Sequence, residues 1–173
     1  VVSGMLDHPD IKGICFVGST PVGKDVIYRR CGETGKRVIA MCGAKNYSVV
    51  MPDADMDRTV AACMTSFFGN AGQRCLANAN LVIVGEGLSE KAYEDLYQNV
   101  ANRFVAAATN LKIGYGLDES VQMGPLRDVH KKRRVGQYIE KGVEEGARLR
   151  LDGRQFSMQG NLPDTCFLGP TVF

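Results

Sequence analysis

At 173 residues, 45% of them apolar and 23% charged, the chain is long enough to build a packed core, and a net charge of +2 excludes the concentrated basic field of a dedicated nucleic-acid binder. It shows no signal peptide, no repeat and no apolar run long enough to span a bilayer, so a soluble α/β chain that binds neither nucleic acid nor membrane is expected. The six cysteines lack C-x-x-C pairing and close Cys/His spacing, and His8 and His130 stand alone, which argues against a metal and for a reducing, intracellular compartment.

Residues 11–17 read as a buried strand, Gly18-Ser19-Thr20 as a turn, and Pro21 as the first residue of a helix capped by Thr20. Strand, small-residue turn and helix start make an anion site, where exposed N–H groups and the helix dipole favour a phosphate. A capped turn with no ligand is the alternative. Gly18 to Lys24 satisfies G-x-x-x-x-G-K, but Asp25 follows where a P-loop needs a hydroxyl for magnesium, and no G-x-G-x-x-G precedes a helix.

Beyond the capping-type Asp53, Val60, Cys63, Met64, Phe67 and Phe68 recur at helical spacing. Gly69-Asn70-Ala71-Gly72-Gln73-Arg74-Cys75-Leu76 then stops the helix and presents Cys75 on a turn. A free thiol is only about 3% thiolate at neutral pH, so the adjacent Arg74 and nearby backbone N–H groups would raise its reactive fraction. Cys75 reads either as such a nucleophile or as one more small buried hydrophobe.

Residues 80–84 form a strand pattern, and Ser89 opens a helix with Tyr93, Leu96, Tyr97, Val100 and Phe104 on its inner face. Residues 111–114 form an exit segment. Gly124-Pro125-Leu126 introduces a helix whose Val129, Val135, Tyr138, Ile139 and Val143 face inward while Lys131-Lys132-Arg133-Arg134 stay solvated. Residues 148–151 read as a further strand, followed by a loop without regular pattern around Gly153 to Asp164.

Five strings in order, Phe16-Val17-Gly18-Ser19-Thr20, Gly43-Ala44-Lys45-Asn46, Met51-Pro52-Asp53-Ala54-Asp55, Gly72-Gln73-Arg74-Cys75 and Leu168-Gly169-Pro170-Thr171, resemble the aldehyde dehydrogenase superfamily. Gly69 to Cys75, with Gly43-Ala44-Lys45-Asn46 and Leu151-Asp152-Gly153-Arg154, is most similar to its CoA-acylating methylmalonate-semialdehyde dehydrogenase branch. The resemblance covers the middle of a family member. It implies a fragment of the aldehyde dehydrogenase fold, with residues 1–36 the C-terminal end of the NAD-binding domain and residues 37–173 the incomplete N-terminal part of the catalytic domain.

The resemblance implies that Cys75 is the nucleophile, with its backbone N–H in an oxyanion hole, and that Gly18 and Ser19 lie by the NAD pyrophosphate. Arg74 matches an arginine associated with the substrate carboxylate, and its other reading is a structural hydrogen bond to the loop backbone. Met41 falls where most relatives carry the Glu that activates water, so CoA rather than water is expected to take the acyl group. Cys42, where relatives have a small residue, reads as packing. The whole protein is expected to be a homo-oligomeric oxidoreductase acting on a small aldehyde, mitochondrial in a eukaryote and cytoplasmic in a bacterium. A water-using aldehyde dehydrogenase is the alternative within that class, and the chain by itself could also be a non-catalytic folded module.

Overall fold

The computed structural model describes residues 2–157 and 166–173. The chain forms two compact units, Val1–Lys45 and Asn46–Phe173.

The first unit runs through α1 (Val2–Asp7), β1 (Gly13–Val17), a π-helical segment (Val22–Tyr28) continuous with α2 (Arg29–Glu33), and β2 (Arg37–Met41). β1 and β2 are parallel, Gly13 facing Arg37 and Val17 facing Met41, a pairing that needs the helical crossover between them. Because successive strand side chains alternate, Ile14, Phe16 and Val38 pack on Leu6, Ile27 and Cys31, while Gly13, Cys15 and Val17 are exposed. The strand is therefore half-buried rather than buried, and Cys15 lies on its wet face.

Helical geometry already includes Pro21, and the Gly23 N–H donates to the Ser19 carbonyl at 2.9 Å. Thr20 does not cap this helix. Its hydroxyl accepts the Gly43 N–H at 3.1 Å and so pins the segment that leaves β2. A Cβ on Gly23 would collide with the Cys42 sulfur, so the glycine makes room for the half-buried thiol expected to be packing. The units divide between Lys45 and Asn46, and Arg37–Met41, hydrogen-bonded to Gly13–Val17, belongs to the first of them.

In the second unit come β3 (Asn46–Val50), α3 (Met56–Phe68), a 3₁₀ turn (Gly69–Gly72), β4 (Asn78–Ile83), α4 (Glu90–Thr109), α5 (Val129–Glu144) and a 3₁₀ turn (Gly153–Gln155). β3 and β4 are parallel, with a register shift between Asn46 and Tyr47. The cap of α3 is Asp55, whose carboxylate accepts the Arg58 N–H at 3.0 Å, not Asp53. Ser89 caps α4 as expected, and Asp128 caps α5 by accepting the Lys131 N–H at 2.8 Å. α3 and α4 meet where Phe67 and Phe68 bracket Phe104, with ring centroids 5.4 and 5.6 Å away.

Two apolar faces differ from expectation. The buried face of α4 is Val100, Phe104 and Ala108, while Tyr93 stays exposed and covers Gly85. On α5 only Ile139 is buried, and Val129, Val135, Tyr138 and Val143 remain exposed. Residues 148–151 form no strand beyond a single bridge between Leu151 and Val172. In the loop that follows, residues 153–155 make the 3₁₀ turn, and residues 158–164 lie outside the described residues. A Cβ on Gly153 would overlap the Gly169 carbonyl, which explains why two separated motif strings each carry a glycine: their backbones cross in contact. The Gly169 N–H donates to the Gly153 carbonyl at 2.9 Å, and the Thr171 hydroxyl accepts the Gly153 N–H at 3.0 Å.

Candidate active site

α3 stops at Gly69, and the chain turns through three consecutive residues in the left-handed region, Asn70 (φ 54°), Ala71 (φ 51°) and Gly72 (φ 69°). Asparagine and glycine adopt this conformation readily, whereas an alanine there costs roughly 1–2 kcal/mol. Backbone of this kind persists only where its surroundings hold it.

Three side chains do so. Arg74 turns back along α3, and its Nη2 donates to the carbonyls of Thr65 (2.6 Å) and Ser66 (3.4 Å). The guanidinium joins the Gly69 N–H on the Thr65 carbonyl, and its charge complements the negative end of the helix dipole. The space it occupies exists because residue 69 is glycine: a Cβ there would sit 2.6 Å from Nη2. Gln73 donates from Nε2 to the carbonyls of Asn70 (3.2 Å) and Pro125 (3.2 Å), and its Oε1 accepts the Arg127 N–H (2.9 Å). Past the turn, Asn46 Nδ2 donates to the Cys75 carbonyl (2.7 Å) and the Ala77 carbonyl (3.1 Å).

Cys75 itself is exposed. Its carbonyl is held by Asn46, and the side chains of Gln73 and Arg74 just before it are bonded to backbone groups. Cys63, on the buried face of α3, is the opposite case. Burial pushes its thiol pKa up, and a hydrogen bond with Ser48 only partly offsets this, so the thiolate is disfavoured. Neither Gln73 nor Asn46 is singled out from sequence as a site residue, since an amide's role depends on which distant backbone groups the fold brings to it.

In the first unit, Gly18 and Ser19 form the exposed turn between β1 and the helical segment. The Gly18 N–H donates to the Met41 carbonyl (3.2 Å), and a Cβ on Gly18 would sit 2.5 Å from the Phe16 ring. With the Gly18 N–H on Met41, the Gly23 N–H on Ser19 and no N–H at Pro21, an anion at this helix start would have to meet other backbone N–H groups of the turn. Met41 ends β2 and is 59% exposed. Among the described residues, no group of three His, Cys, Asp or Glu side chains is placed to hold a metal, and no helix is long and apolar enough to cross a membrane.

The malonate-semialdehyde dehydrogenase 1 of Geobacillus thermodenitrificans (strain NG80-2) is 47% identical over 175 residues, covering 100% of this chain and 33% of that protein. The malonate-semialdehyde dehydrogenase of Bacillus subtilis (strain 168) is 44% identical over 174 residues, with the same coverage. The chain thus spans about a third of the length of the curated relatives it matches. Among solved structures, methylmalonate-semialdehyde dehydrogenase from Oceanimonas doudoroffii superposes with a TM-score of 0.84 at 35% identity, over 98% of this chain and 33% of that one. A Sinorhizobium meliloti 1021 protein described as a methylmalonate-semialdehyde dehydrogenase, and solved in complex with NAD, gives 0.81 at 36% identity, with the same coverage. A family model, aldehyde dehydrogenase family, matches residues 1–173, and with relatives aligned over the whole chain, the chain belongs to that family.

Proposed function

We propose that this chain is the nucleophile-bearing third of an NAD-dependent enzyme that converts malonate or methylmalonate semialdehyde and CoA to an acyl-CoA. The observation that carries the proposal is the exposed Cys75 thiol on a turn fixed by Gln73, Arg74 and Asn46, in a chain aligned end to end with malonate-semialdehyde dehydrogenases.

The Cys75 thiolate attacks the aldehyde carbon, forming a C–S bond and a thiohemiacetal whose oxyanion lies near the Cys75 N–H. Bound NAD would accept the hydride whose departure leaves a thioester on Cys75. Gly18 and Ser19, at the end of β1, would hold its pyrophosphate. The NAD complex of the Sinorhizobium relative supports this cofactor. Deacylation requires a second nucleophile. Met41 has no lone pair basic enough to take a proton from water at neutral pH, so a thiol, which needs less help, is the better acceptor. Arg74 would hold the substrate carboxylate through guanidinium N–H groups other than those that Nη2 gives to the helix carbonyls. Residues 1–36 would then close the NAD-binding domain and residues 37–173 begin the catalytic domain. The whole protein would act as a homo-oligomer on a small aldehyde inside the cell.

The test is an assay of the full-length gene product with malonate semialdehyde and NAD, with and without CoA. Expected is one burst of NADH followed by near arrest without CoA, and sustained turnover to an acyl-CoA with it, because general-base help is worth about 10²–10⁴-fold. Rapid steady-state NADH release with free acid as product and no CoA would instead identify a water-using enzyme.

A further inference from the structure

Gln73 joins two segments far apart in sequence. Its amide oxygen accepts the N–H of Arg127 and its amide nitrogen donates to the carbonyl of Pro125, so the side chain pairs with both sides of Leu126 as a strand's backbone would. Leu126 is a firm anchor: its side chain is buried, and its N–H donates to the Cys166 carbonyl at 2.9 Å. The same Nε2 also reaches the carbonyl of Asn70, inside the left-handed turn.

We propose that Gln73 is the positioning residue of the nucleophile turn, its side-chain amide clamping the strained Asn70-Ala71-Gly72 segment to the core-anchored Pro125-Leu126-Arg127 strut and thereby fixing the Cys75 thiol. The inference rests on the reading of Cys75 as nucleophile. Two features support it. Ala71 is held in a left-handed conformation unfavourable to alanine, in a turn that the Gln73 backbone N–H also closes on the Asn70 carbonyl, and the side-chain restraint acts within two residues of the thiol. The chemistry also demands an amide. A glutamate is isosteric but has no donor, and it would set a carboxylate against the carbonyls of Pro125 and Asn70, so Gln73→Glu isolates the donor function from size.

In the full-length product, Gln73→Glu should lower kcat for malonate semialdehyde at least tenfold with KM changed less than twofold. It should also displace the pH profile of Cys75 alkylation by iodoacetamide, followed by peptide mass spectrometry. Adding Ala71→Gly to Gln73→Ala should recover threefold or more of the lost kcat, because glycine holds the left-handed turn without the clamp. An unchanged kcat and alkylation profile in Gln73→Glu, or a lowered melting temperature with the profile unmoved, would overturn the proposal. Full turnover by Cys75→Ala would instead remove the nucleophile assignment on which it rests, so the two failures are told apart.

Discussion

In the body of α3 the chain is fixed by its backbone ladder and by burial of Cys63, with Phe68 stacked on Phe104 and Phe67 edge-on to it. In the turn that leaves the same helix, the restraints are side-chain amides and a guanidinium bonded to backbone carbonyls and N–H groups, around a left-handed backbone that resists its own conformation. The first arrangement makes a thiol inert by desolvating its charged form. The second leaves a thiol exposed yet located. Apolar packing can fix a residue only by covering it; directional hydrogen bonds to the neighbouring backbone fix one that must stay accessible.

The sharpest way to break this comparison is to remove each thiol in turn. Cys75→Ala should reduce turnover of the full-length product by about four orders of magnitude or more, as loss of a nucleophile does, while Cys63→Ala should leave kcat within a few-fold. NADH formation monitored at 340 nm measures both, and comparable losses would show that burial does not separate the two sites.

Arg74→Leu comes next in size. Losing a bidentate carboxylate contact should lower kcat/KM for malonate semialdehyde by about one to two orders of magnitude, and for propanal far less. Because Nη2 also holds the end of α3, a loss of roughly 0.5–1 kcal/mol in stability should accompany it. Equal losses for both aldehydes would assign Arg74 to the helix end alone.

Ala71→Gly probes the strain directly. Glycine removes the left-handed penalty but is more flexible when unfolded, so the variant should gain about 0.5–1 kcal/mol in urea unfolding with little change in the slope. No gain would mean that residue 71 is not strained.

The smallest effect is a pH dependence from Cys63. Its folded pKa is raised above the ordinary thiol value of about 8.5, so its contribution to stability is complete below that pH and declines as pH rises through the folded value. Denaturation midpoints measured from pH 7 to 10 should fall more steeply for the parent sequence than for Cys63→Ala.

Local signals were legible where residue type and spacing decide them: the strand and helix around Gly18, the helix ending at Gly69, Cys75 on a turn, and Ser89 as a cap. They failed where two similar residues compete for one role. Asp53 and Asp55 both suit a cap, and only the chain path chooses Asp55. Thr20 looked like a cap because threonine commonly is one, yet the fold brings the Gly43 N–H to its hydroxyl. The periodicity of α5 promised a broad inner face, but only Ile139 is covered, since periodicity states which residues share a face and not what lies against it. Gln73, Asn46 and the crossing of Gly153 with Gly169 depend on contacts distant in sequence, which no local pattern encodes.

The bond from Arg74 to Thr65 makes the last turn of α3 and the approach to Cys75 a single structural event. A helix end frays one residue at a time when its final carbonyls face water, but here fraying must detach the guanidinium and release the loop with it. The amides at the end of α3 should therefore exchange with solvent deuterium at the rate at which the loop opens. An acyl group on Cys75 that steadies the loop would register as slowed exchange in a helix it never touches.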